Sequence, residues 1–85
     1  MNSVYTEDGF KYWVKKARPG NQIIYYTGLL MYDREKAYQR GLTVDTFPED
    51  LRAAGAAWAS NRQGEVMLFQ IKRKHSVYDY VAVKV

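Results

Sequence analysis

Residues Glu65–Val85 read EVMLFQIKRKHSVYDYVAVKV. Two β-branched and aromatic runs meet at a basic knot, Lys72-Arg73-Lys74-His75. Val81, Val83 and Val85 alternate with Tyr80, Ala82 and Lys84, the period of two that a half-buried strand requires. The segment is therefore expected to form a hairpin, with strands Glu65–Arg73 and Val77–Val85 and a turn near Lys74–Ser76. Two readings of the knot stand. It is a projecting tip that grips phosphate, or a turn whose charges keep two aggregation-prone strands apart.

Upstream of the hairpin, TFPEDLRAAGAAWASNRQG predicts a helix over residues 47–62. Thr46 and Glu49 have the spacing of a capping box, Pro48 suits the first turn, and Gly64 stops the helix. Setting Leu51, Ala54, Gly55 and Trp58 toward the core gives an outer face of Arg52, Ala53, Ala56, Ala57, Ser60, Asn61 and Gln63. TEDGFKYWVKKARPG predicts a first helix, with Thr6 as cap and Glu7 and Asp8 at the positive end of its dipole. Tyr5 is placed to staple onto Phe10. Phe10, Trp13, Val14 and Ala17 fall on one face, Lys11, Lys15 and Arg18 on another, and Pro19-Gly20 ends the helix. Between the two helices lie a strand at 23–27 (IIYYT) and a short helix from Asp33 to Arg40 with Gly41 just beyond it; the alternative is a strand running on through Leu30. Trp13 and Trp58 are both expected in the core, whereas Tyr32, Tyr38 and Tyr78 are expected to be exposed.

The 85 residues make one domain, 1–85, without repeats or linkers. The expected fold class is α+β, with element order α-β-α-α-β-β and a small antiparallel sheet in which 23–27 pairs with the hairpin. That is the order of a winged helix-turn-helix. The stretches RPGNQIIYYTGLLMYDR and QGEVMLFQIKRK…YDYVAVKV resemble short phage- or prophage-encoded proteins with winged-helix-like folds. The resemblance implies a regulatory role in a phage or mobile element.

The formal charge is +4, there is no cysteine, and no apolar run is long enough to cross a bilayer. A soluble, cytoplasmic protein without disulfides is expected. Lys11, Lys15, Lys16 and Arg18 form a basic block, while Asp45, Glu49 and Asp50 make an acidic one. The carboxylates are scattered over helix starts and turns, there is one histidine, and no nucleophile elbow or phosphate loop occurs. Neither catalysis, cofactor nor metal is expected.

Two binding functions follow. In the first, the domain binds double-stranded DNA. Arg52, Ala56, Ser60, Asn61 and Gln63 of the 47–62 helix face a groove, and Lys72, Arg73, Lys74 and His75 lie on the backbone. In the second, the alanine strip and exposed tyrosines dock on a host protein or on a second copy of the chain, giving a homodimer. Glu49 and Asp50, which would repel phosphate, favour the second reading; the Lys72–Lys74 knot favours the first.

Overall fold

A computed structural model describes all residues, 1–85. The chain folds as α1 (Glu7–Lys16), β1 (Gln22–Gly28), α2 (Leu30–Gln39), a single 3₁₀ turn (Val44–Thr46), α3 (Glu49–Arg62), β2 (Val66–Lys74) and β3 (Val77–Lys84). It is an α+β domain in which three helices pack on an antiparallel sheet of order β1-β3-β2. No helix is long and apolar enough to cross a membrane.

α1 begins as its sequence requires: Thr6 Oγ1 accepts the Gly9 N–H at 3.1 Å. Its Phe10 and Val14 are buried, and Trp13 packs partly buried against the core. Tyr5 directs its hydroxyl to Thr27 Oγ1, 3.0 Å away. β1 carries a bulge, because Ile24 pairs with Val81 and Tyr26 with Tyr80, leaving Tyr25 over. The extra residue breaks the alternation, so consecutive side chains Tyr25 and Tyr26 are both buried. Tyr25 meets Phe10 edge-on at 5.9 Å, and Tyr26 meets Tyr80 at the same distance.

α2 starts at Leu30, three residues before the expected cap. Asp33 does not cap it; its carboxylate accepts the Tyr26 hydroxyl at 2.6 Å. Instead the Tyr80 hydroxyl accepts the Leu30 N–H at 3.1 Å. This capping comes from a residue 50 positions away in the chain, so no local pattern announces it. Gly28, at φ +144°, precedes the helix; a methyl group there would lie 2.8 Å from Asp33 Oδ2.

The start of α3 also differs from expectation. Thr46 Oγ1 accepts the Thr43 N–H at 2.8 Å within the 3₁₀ turn, so no box forms with Glu49, and the helix begins after Pro48. The larger correction concerns its phase. Leu51, Ala53, Ala54, Ala56, Ala57 and Ser60 are buried, whereas Trp58 is 57% exposed. α3 is wedged between α1 and the sheet, where alanines permit close approach and an indole has no room. Trp58 lies outside, with the Arg62 guanidinium 4.9 Å from its ring.

β3 is the central strand, and its Val81 and Ala82 are buried. Lys74 belongs to β2 and pairs with Val77, so the loop is only His75-Ser76, with Ser76 at φ 59°. A second bulge at Arg73 separates the Lys72–Tyr78 and Lys74–Val77 pairs. The N-terminus adds one parallel bridge, Ser3 to Ile24, on the outer edge of β1. Tyr32 and Tyr38 are exposed as expected, and Tyr78 is half-buried.

Because Ala57 is fully buried, Ala57→Leu should overpack α3 and cost about 1–3 kcal/mol. Trp58→Ala should cost less than about 1 kcal/mol, since an exposed side chain with one stacked cation contributes little. Urea denaturation of the two variants would reverse this order if Trp58 were the core residue.

Candidate binding surfaces

The hairpin tip is built around Asp79, which is 5% exposed on the central strand. Its Oδ2 accepts from Arg73 Nη1 at 2.6 Å and its Oδ1 from the Thr27 hydroxyl at 2.9 Å. Thr27 has one proton and gives it to Asp79, so Tyr5 is the donor in the Tyr5–Thr27 hydrogen bond. Four residues from four parts of the chain thus form one polar line. The Arg73 hydrogen bond, reinforced by that from Thr27, holds the Asp79 carboxyl below the usual aspartate range against the opposing effect of burial. Arg73 is raised in turn, chiefly by the same hydrogen bond. Ile71 pairs with Asp79, so Arg73, two residues on, lies on the same face as this carboxylate, and its charge is matched within the domain. Lys72, Lys74 and His75 are exposed, and none of them forms an ion pair.

The expected helical half of the DNA site is not assembled. Ala56 and Ser60 are buried against the rest of the domain rather than displayed. Arg52 is ion-paired with Glu49 on the preceding turn, with its Nε buried and unpartnered. Asn61 Nδ2 donates to the Val66 carbonyl at 3.0 Å and thereby ties α3 to β2. Gln63 is exposed at the end of the helix. Of the nine residues named from sequence, Gln63, Lys72, Lys74 and His75 are both exposed and unengaged. The cause is the rotation of α3: the alanine strip that looked like a display face is the packing face.

What α3 does display is Gly55, Trp58, Ala59 and Arg62. Beside them lies a groove of about 560 Å³, with Phe47, Leu51 and Trp58 among its apolar walls and Arg34 and Asp45 at its charged rim. Tyr38 packs edge-on to Phe47 at 5.0 Å and extends that wall. The groove is open above Gly55, where a methyl group would find no heavy atom within 4 Å. Glycine at a helical, unobstructed position costs stability relative to alanine but lets another molecule approach the backbone. On the far side of α2, burial first and the Asp33 hydrogen bond second hold the Tyr26 hydroxyl protonated well above the ordinary tyrosine range. Tyr26 is thus a structural donor. No cluster of His, Asp and Glu side chains is arranged to hold a metal ion.

Sequence reasoning missed Trp58 and the groove. The available signal was Gly55 in the middle of a helix, flanked on each side by two alanines. No protein-family model matches this chain, and no curated protein and no solved structure matches it significantly.

The Asp79 network makes stability pH-dependent in a defined direction. Its folded pKa lies below the unfolded value of about 3.9, so its contribution is complete above that value and is lost as pH falls through it toward the folded pKa. Asp79→Asn should therefore be less stable than wild type at neutral pH. The gap should close below about pH 4, as measured by urea midpoints across a pH series.

Proposed function

We propose that this chain is a non-enzymatic binding module of winged-helix architecture, which receives an apolar anchor of a partner protein in the groove beside Trp58. The carrying observation is the open floor at Gly55 next to an exposed indole. Large aromatics at the edge of an apolar depression are the residues on which protein interfaces concentrate binding energy. The charges at the rim are of both signs, Arg34 and Asp45, and the nearby Lys11–Glu7 and Arg52–Glu49 pairs neutralise one another. A polyanion gains little from such a surface, whereas a protein segment with an apolar side chain flanked by polar ones fits it. In the phage reading, the partner is a host protein.

A second reading, duplex DNA, is favoured by one specific observation. The β2–β3 hairpin exposes Lys72, Lys74 and His75 at its tip, which supports reading it as a wing laid along the phosphate backbone. It is a phosphate-contacting mode, without base reading by α3.

Peptides selected from a displayed library against the wild-type domain should carry an apolar anchor. Trp58→Ala should weaken them by about 2 kcal/mol or more, roughly thirtyfold in Kd, with the fold intact by circular dichroism. Gly55→Ala is expected to stabilise the fold by about 0.5–1 kcal/mol, and Gly55→Leu to block the groove. Titration with duplex DNA at two salt concentrations separates the readings. If duplex binds and the slope of log affinity against log salt falls by about 0.9 for each of Lys72→Ala and Lys74→Ala, the DNA reading displaces the first. Unchanged peptide binding in Trp58→Ala would overturn the groove.

A further inference from the structure

A third surface belongs to neither reading. β2 is the free edge of the sheet: β3 covers one side of it, and nothing pairs with the other. On the sheet face opposite the helices, β2 presents Met67, Phe69 and Ile71, 55%, 49% and 49% exposed, beside Val83 and Val81 of β3. Val66–Ile71 contains no charge, no proline and no glycine. Such an edge is a template for another strand, and proteins that must stay monomeric interrupt it with charge or distortion. Here both devices, the bulge at Arg73 and the lysines, stand at one end.

The geometry points to a second copy of this chain as the occupant, paired antiparallel along β2 about a two-fold axis at Phe69. The regular part of the strand, from Val66 to Lys72, ends at the bulge, and Phe69 is its midpoint. Pairing about that point places Phe69 opposite Phe69, Met67 opposite Ile71 and Leu68 opposite Gln70, so each apolar residue of the outer face meets an apolar residue. Just beyond the ladder, Glu65 of each copy comes opposite Arg73 of the other. Arg73 gives one nitrogen to Asp79, and its side chain is 59% exposed, leaving further donors for this carboxylate. The two ends of the strand are thus complementary in charge: acid at the start, base at the bulge. Moving the dyad by one residue brings Arg73 against Met67 in one direction, or against Gln63 with Ile71 against Glu65 in the other, and either way the Glu65–Arg73 match is lost. The isologous arrangement merges two three-stranded sheets into one of six strands and removes the free edge.

The chain has no cysteine, so single cysteines report the register directly. Wild type should sediment as a dimer. Under mild oxidation Phe69→Cys should form an intermolecular disulfide about tenfold or more faster than Met67→Cys or Ile71→Cys alone, because only residue 69 faces itself across the dyad. An equimolar mixture of Met67→Cys and Ile71→Cys should recover fast cross-linking, as a mixed disulfide. Phe69→Lys, checked for folding by circular dichroism, should shift the dimer to monomer. A wild type that sediments as a monomer throughout the accessible concentration range, or equal cross-linking rates at all three positions, would overturn the pairing.

Discussion

The close approach of α3 to α1 and the sheet governs the rest of the domain. It is possible because Ala53, Ala54, Ala56 and Ala57 present nothing beyond a methyl group on the packed side. In a chain of 85 residues little apolar volume is available, and the core is completed by bringing backbones together rather than by inserting large side chains. The aromatic rings that do enter are Phe10, Tyr25 and Tyr26 from α1 and β1 and Phe47 from the segment before α3. Once the alanine face is committed inward, the opposite face of α3 is fixed. Trp58 must stand outside, Gly55 must lie open, and the groove below them exists because the 3₁₀ turn and α2 frame its other side.

The sheet obeys a second constraint at its opposite end from the α1 C-terminus. Asp79 sits in the middle strand, where a carboxylate without partners would be costly, and the surrounding chain is arranged to satisfy it. The bulge at Arg73 has a counterpart in the bulge at Tyr25: each inserts one residue on a strand flanking β3, and the one on β1 turns Tyr26 inward beside Tyr25. One bulge completes the aromatic core. Beside the other, the ion pair with Asp79 makes one cation of the tip part of the framework.

Element order, the three helices, the strand pairing and the hairpin were legible in the sequence because each leaves a local trace: Thr6 before α1, alternation in β3, glycine after α2 and α3. The details that failed depend on distant partners. Tyr80 caps α2 from fifty residues away, and Thr46 answers Thr43 instead of Glu49. For the binding surfaces, spacing alone admitted two helical phases for α3, one led by Trp58 and one by the alanines. The expectation from spacing takes the first, and the crowding around α3 selects the second. Lys72, Lys74 and His75 were read correctly as exposed, since a hairpin tip has nowhere to bury them. Arg73 is exposed as well, but its ion pair leaves no local trace, because the partner is an aspartate on the neighbouring strand.

The two tryptophans have contrasting surroundings, and this gives the domain two separable optical signals. Trp13 leans on Phe10 with ring centroids 5.9 Å apart, against the hydrophobic core, whereas Trp58 faces solvent under a guanidinium. Emission from the indole on α1 follows the integrity of the fold. Emission from the indole on α3 follows what reaches the surface of that helix, is open to aqueous quenchers, and is lost selectively when residue 58 is replaced. A ligand settling over Gly55 would be seen as shielding of one fluorophore while the other stays constant.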